Sequence, residues 1–232
     1  ELKFNGLVMD LRGNGGGYLG AAINMVNEFL SEDKLITYTE GRTMGRADYM
    51  SDGRGSYQRI PLIILTDETT ASAAEIISGA IQDNDRGIII GRRTFGKGLV
   101  QQPIELQDGS LIYLTVSRYY TPSGRCIQKP YSKGDNEGYN MDIVNRFENG
   151  EFFSEDSIHL QGEKYLTSGG RTVYGGGGIM PDYFVAEDTT LITPYYTEIA
   201  LSGLILQFCY DYADKNRDKL AEYESASQIE YN

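Results

Sequence analysis

The stretch 61–90, PLIILTDETTASAAEIISGAIQDNDRGIII, decides the fold. Pro61–Thr66 is a continuous apolar run of strand length, and Asp67–Thr70 supplies helix-start chemistry. Ala71–Gln82 then reads as a helix with small residues on one face, and Gly87–Ile90 as a second, β-branched strand. A similar order precedes it. Gly6–Leu11 (GLVMDL) is a short buried strand ended by the cluster Gly13-Asn14-Gly15-Gly16-Gly17, and apolar residues at 19, 22, 23, 26, 29 and 30 have the spacing of an amphipathic helix. Leu35–Thr39 is rich in β formers, and Gly41–Gly55 reads as a polar, glycine-bearing connection. The order strand, helix, strand, strand, helix, strand predicts an α/β protein with a mixed, mostly parallel sheet.

Further along, Val100–Leu106 and Leu111–Arg118 alternate around Gln107-Asp108-Gly109-Ser110, which predicts a β-hairpin extension. Lys129–Arg171 changes character, being polar and without periodicity, and reads as an insertion. Val173–Val185 returns to strand-like residues around Gly175-Gly176-Gly177-Gly178, and Tyr196–Tyr223 is helical with its apolar content in Ile199–Tyr212. The expected organisation is a catalytic core made of 1–128 and 172–232, interrupted by a polar insertion at 129–171.

Composition narrows the function. The 232 residues are 40% hydrophobic and 23% charged, within the range of globular chains and too apolar for disorder. Lysine and arginine total 21 against 33 acidic residues, a net charge of −12, which argues against a nucleic-acid partner. The apolar runs fall far short of the ~18 residues a membrane span needs, and no basic segment followed by an apolar one marks a signal peptide. Because Glu1–Gly6 leads at once into a strand, the chain reads as an excised core. Cys126 and Cys209 make no disulfide framework or metal cluster, and the lone His159 sits in a polar stretch. Neither a metal nor a cofactor is expected.

Two motifs invite chemistry. Gly15-Gly16-Gly17-Tyr18-Leu19-Gly20 has the G-x-G-x-x-G form of a dinucleotide fingerprint, with Glu40 twenty residues on. Asp10, Arg12, Gly13 and Asn14 intervene between the strand and the first glycine, which favours an oxyanion site or a plain turn. Ser72, between an apolar strand and a helix, is either an N-cap or a nucleophile whose following N–H and helix dipole stabilise an oxyanion. Serine needs a base, and His159 lies in the insertion. A lysine can serve if desolvation leaves its amine neutral. Gly96-Lys97-Gly98, flanked by Phe95, Leu99 and Val100, offers one; its bland reading is a surface-turn lysine.

Five motifs in order resemble the carboxyl-terminal processing (tail-specific) serine peptidases. They are Asp10-Leu11-Arg12-Gly13-Asn14-Gly15-Gly16-Gly17, Thr70-Ala71-Ser72-Ala73-Ala74-Glu75-Ile76, Arg93-Thr94-Phe95-Gly96-Lys97-Gly98, Tyr119-Tyr120-Thr121-Pro122-Ser123-Gly124-Arg125 and Gly177-Gly178-Ile179-Met180-Pro181-Asp182. The resemblance implies a crotonase/ClpP-like core and a serine endopeptidase with a Ser-Lys dyad, acting on protein C-terminal tails or unfolded polypeptides through an acyl-enzyme. It makes Ser72 the nucleophile, Lys97 the general base and Gln101 the residue that orients the lysine. The oxyanion hole would be the N–H of Ala73 with that of Gly16, or alternatively Gly17. Glu75 and Asp83 read as structural, Glu75 being the better candidate for supporting the site.

The sequence departs from the family pattern in three places. Gly15 stands where proline or serine is usual, Ala74 where serine is common, and Lys129–Gly175 separate two motifs that usually lie close together. The family's amino-terminal helical segment and PDZ domain are not legible here. They would be partners from the same protein, alongside polypeptide substrates and, as an open option, further copies of the chain. The implied location is the cell envelope, periplasmic or otherwise exported. The alternative reading is a catalytically silent peptide-binding or scaffold module of the same fold.

Overall fold

The computed structural model describes residues 4–132, 134, 136–159, 162–190, 193–223 and 225. They fall into two compact units, Glu1–Ala186 and Glu187–Asn232.

The first unit is built on a fully parallel sheet. Strands β1 (Leu7–Asp10), β4 (Leu62–Thr66), β5 (Ile88–Gly91) and β10 (Tyr183–Phe184) lie in that spatial order. Ile64 in β4 and Ile89 in β5 are completely buried, as expected of apolar strands in a covered parallel sheet. Helix α1 (Leu19–Asn27) packs against α2 (Ala73–Asp83). Every residue of α2 is buried, so it has no polar face. That explains a sequence in which small and apolar residues dominate and Glu75, Ser78, Gln82 and Asp83 must all find partners inside.

A second sheet is antiparallel, with β3 (Ala47–Met50), β2 (Leu35–Glu40), β7 (Leu111–Tyr120) and β6 (Leu99–Glu105) in that order. The last residues of β7 pair with β2, Tyr38 opposite Tyr120 and Glu40 opposite Arg118, while the rest of β7 pairs with β6. The predicted hairpin is therefore present and projects from the sheet, exposed throughout residues 101–115.

The α/β class and the parallel sheet agree with the sequence reading. The expectation that a single sheet takes in Leu35–Thr39 is corrected: that strand joins the antiparallel sheet. There it pairs with β3, which forms inside the stretch read as a connection. Buried Thr37 and Tyr38 signal burial of β2 but not the direction of its neighbours, and β3 has too few buried residues to alternate.

The 129–171 segment is more ordered than its composition suggests. Its described residues include helix α3 (Asn136–Glu148), a 3₁₀ turn at Glu155–Ser157 and strand β8 (Lys164–Leu166), which pairs with β9 (Thr172–Tyr174). Helix α3 lacks a core-facing apolar stripe because its most buried anchor is Arg146. The second unit consists of α4 (Pro194–Leu201), α5 (Leu204–Lys215) and α6 (Arg217–Leu220). The Thr193 side chain caps α4 by accepting the Tyr196 N–H at 3.1 Å.

Candidate active site

The turn from β4 into α2 is held by Asp67. Its Oδ1 accepts the N–H groups of Thr69 and Thr70, both at 2.9 Å, and its Oδ2 accepts the N–H of Gly13 at 2.9 Å. The N–H of Ala71 donates to the carbonyl of Asn14 at 2.9 Å, so the glycine loop and the turn form one structure. At the head of α2, Ser72 has φ 57° and ψ −120°. That conformation is unfavourable for a residue with a Cβ, costing on the order of 1–3 kcal/mol. It is the kind of sharp strand-to-helix turn that presents a side chain outward.

Gly16 explains the glycines upstream. At φ +102°, an added Cβ would lie 2.7 Å from both the Ala71 carbonyl oxygen and the Ser72 Cβ, and 2.9 Å from the Ala73 nitrogen. Only glycine fits so close to the serine turn. The N–H of Gly16 donates to Asn14 Oδ1 at 2.9 Å. Among the described residues, the N–H groups of Gly17 and Ala73 have no hydrogen-bond partner.

Lys97 comes from a loop, 92–98, that has no helix or strand of its own. Nearly every backbone group in it is tied down. The Arg92 N–H donates to Thr66 O (3.0 Å), Thr94 N–H to Ile179 O (3.1 Å), Phe95 N–H to Thr70 O (2.9 Å) and Gly98 N–H to Gln128 Oε1 (2.8 Å). At Gly96, with φ +86°, the backbone passes so close to Lys129 that an added Cβ would meet its Cβ at 3.1 Å.

Two buried side chains then bind the serine turn to the lysine loop. Glu75, wholly buried in the first turn of α2, accepts the N–H groups of Ser72 and Lys97 on Oε2, each at 2.8 Å. Its Oε1 accepts the N–H of Gly96 at 2.8 Å and the hydroxyl of Thr94 at 2.5 Å. Burial pushes this carboxyl above its ordinary value, and the four donors oppose that rise. From the other side, the hydroxyl of Tyr119, near the end of β7, lies 2.9 Å from the Ser72 carbonyl and also contacts the carbonyl of Lys97. Burial, reinforced by the nearby Glu75, raises the phenol well above its usual range, so it stays a donor at any physiological pH.

Ser72, Ala73, Lys97, Gln101, Gly17 and Tyr119 line one cavity of about 430 Å³, whose remaining wall includes Ile76, Val100 and Pro103. Ser72 and Lys97 are half-buried, and Gln101 is exposed on β6 opposite Thr115. At the end of β1, Asp10 accepts Arg12 Nε at 2.9 Å and Nη2 at 2.7 Å, and this pairing lowers the Asp10 carboxyl to about 2.

The sequence profile of peptidase family S41 matches residues 1–144. The chain belongs to peptidase family S41. Among curated relatives, a chloroplastic C-terminal processing peptidase of Tetradesmus obliquus is 42% identical over 124 residues, 53% of this chain and 26% of that protein. A carboxyl-terminal-processing protease of Synechocystis sp. is 42% identical over 129 residues, 56% of this chain and 30% of that protein. Among solved structures, the photosystem II D1 C-terminal processing protease is 41% identical with a TM-score of 0.49, covering 53% of this chain and 32% of that one. The chain thus spans less than a third of the length of these relatives.

Within this S41 chain, five of the six residues assigned catalytic or oxyanion roles from the sequence, Ser72, Lys97, Gln101, Ala73 and Gly17, line the one cavity. Gly16 stands behind Ser72 rather than on the cavity wall. Asp83 is placed away from the cavity, in a fully buried ion pair with Arg125 at 2.7 Å. His159 is exposed. Sequence reasoning did not give Tyr119, Thr94 and Asn14 their parts. Glu75 carried a usable signal, because an acidic residue three positions after a helix-initiating serine is the spacing of a capping pair. The Tyr119 hydroxyl has no comparable local signature.

Proposed function

We propose that this chain carries the catalytic centre of a serine endopeptidase that acts on C-terminal tails or unfolded polypeptides. The observation that supports this reading best is the shared grip of Glu75 on the N–H groups of Ser72 and Lys97, two residues from separate elements of the fold. A structural serine and a surface lysine need no common anchor.

In this mechanism Ser72 Oγ attacks the peptide carbonyl while the neutral amine of Lys97 takes its proton. The N–H of Ala73, at the positive end of α2, and one glycine N–H stabilise the tetrahedral oxyanion. Asn14 already accepts the Gly16 N–H, which favours Gly17 as the second donor over the Gly16 expected from the sequence. The Lys97 ammonium protonates the leaving amine, and water then hydrolyses the acyl-enzyme with the lysine again as base. Gln101 orients the lysine amine. The surrounding core is of the crotonase/ClpP-like type, with 129–171 as an insertion into it. Substrate tails would be delivered by amino-terminal and PDZ regions of the same protein, in an exported compartment.

The test is hydrolysis of β-casein, an unstructured substrate, by the wild type, Ser72→Ala and Lys97→Ala between about pH 6 and 10. Activity that climbs with pH and disappears in both variants is expected, since a lysine base acts only when deprotonated. Activity surviving in Lys97→Ala overturns the mechanism.

A further inference from the structure

The insertion is wired to the lysine loop. Arg146, in α3, has a side chain only 5% exposed. Its guanidinium donates to two consecutive carbonyls of the loop, Arg93 at 2.7 Å and Thr94 at 3.1 Å. Glu151, just beyond α3, braces it by accepting Arg146 Nε at 2.8 Å. The same carboxylate accepts Arg93 Nε at 2.8 Å and Nη2 at 2.6 Å. A second contact lies beside the first. The Lys129 ammonium sits 3.9 Å from the Phe95 ring centre and 4.3 Å from that of Tyr139, and 3.1 Å from Asp142 Oδ2. Tyr139 and Asp142 belong to α3, so the helix grips the loop at both places.

We propose that the 129–171 insertion positions the general base, with Arg146 as the positioning residue; this rests on Lys97 being that base. The route runs through Thr94. Arg146 holds the Thr94 carbonyl while the Thr94 hydroxyl donates to Glu75 Oε1, and Glu75 in turn takes the N–H groups of Lys97 and Ser72. The loop has no strand ladder to keep its shape, and the carbonyls of Arg93 and Thr94 accept from the Arg146 side chain. A planar guanidinium can serve two neighbouring carbonyls and a carboxylate at once, which an ammonium on a flexible stem does not reproduce. Slack at Arg93 and Thr94 changes where Lys97 stands relative to Ser72, and a displacement near 1 Å can cost on the order of 10²-fold in rate. The substrate-facing wall of the cavity is not touched, so the loss belongs in kcat rather than KM.

The experiment measures kcat and KM for β-casein hydrolysis, together with thermal midpoints, in Arg146→Lys, Arg146→Met, Glu151→Gln and the control Arg171→Met. Arg171 also lies in the insertion, but its ion pairs are with Asp85 and Asp182, away from the lysine loop. Arg146→Met should lose roughly 10- to 100-fold in kcat with KM changed less than about twofold. Arg146→Lys and Glu151→Gln should fall between it and the wild type, and Arg171→Met should keep wild-type kcat even if its midpoint drops. Folded Arg146→Lys and Glu151→Gln with wild-type kcat would overturn the proposal, as would an equal kcat loss in Arg171→Met. If Arg146→Met fails to fold, the two milder variants decide. Ser72→Ala and Lys97→Ala run in the same assay separate the two failures. If they stay active the dyad itself is wrong, whereas if they are inactive beside fully active Arg146 variants, only the role of the insertion falls.

Discussion

Replacing Glu75 with glutamine preserves its length and shape and exchanges one acceptor edge for a donor edge. The carboxylate accepts three main-chain N–H groups at 2.8 Å and the Thr94 hydroxyl at 2.5 Å. If the amide oxygen turns toward Ser72 and Lys97, the NH₂ group faces the Gly96 N–H and the Thr94 hydroxyl. The Thr94 oxygen already accepts the Ile179 N–H at 2.6 Å, so it has little freedom to adapt. In the opposite orientation, the N–H groups of Ser72 and Lys97 are both left without an acceptor. Either way two donors to a charged group are lost, at about 1.5–3 kcal/mol each. The gain from burying a neutral amide instead of a carboxylate offsets part of this, leaving a net destabilisation of about 2–4 kcal/mol. Urea unfolding should show that loss as a lower midpoint with unchanged slope, and β-casein hydrolysis should fall at least about 10²-fold in kcat. The pH dependence adds a sign. Because burial raises the Glu75 carboxyl above 4.5, the folded state holds the proton more tightly than the unfolded state. Wild-type stability therefore carries a component that is full below that value and declines as pH rises through the raised range, and Glu75→Gln lacks it. An unfolding free energy within about 0.5 kcal/mol of wild type, with kcat unchanged, would refute the claim that this carboxylate holds the site together.

Four other outcomes follow from the same geometry. Ser72→Gly and Ser72→Ala should both be inactive, but the glycine variant should be the more stable by about 1 kcal/mol in urea unfolding, because only it accepts φ 57° without strain. Tyr119→Phe removes the hydroxyl donor from the carbonyls of Ser72 and Lys97 and should lower kcat with about 1–2 kcal/mol of destabilisation, read by steady-state kinetics and thermal melting. Asp83→Ala leaves the Arg125 guanidinium unpaired where both side chains have no exposure, and should cost about 3–5 kcal/mol in denaturant unfolding. Asp10 should titrate near 2 by carboxyl NMR and return toward 3.8 in Arg12→Ala; its contribution to stability is present above 3.8 and lost as pH falls through about 2.

The parts of this molecule that could be read from the sequence are those written in local patterns. The 61–90 unit, the glycine cluster and the hairpin turn each depend on residues within a few positions of one another. The parts that could not be read depend on partners distant along the chain. Tyr119 reaches a carbonyl 47 residues away, and Arg146 reaches one 53 residues away. Neither leaves a periodicity. Helix α3 was illegible for a related reason: it is fixed by a guanidinium and an ammonium, so the apolar spacing that reveals α1 is missing. The preference between Gly16 and Gly17 turned on the Asn14 side chain, a contact that any of several conformations of a five-residue cluster would have changed. Pairing of β2 with β7 rather than with the parallel strands was equally hidden, since Thr37 and Tyr38 would be buried in either sheet.

The double anchorage of Ser72 and Lys97 also bears on how the two residues move. One carboxylate grips both of their N–H groups and one phenol reaches both of their carbonyls. A shift of either anchor therefore acts on both backbones at once, and no change confined to Glu75 or Tyr119 reaches one of the two residues alone.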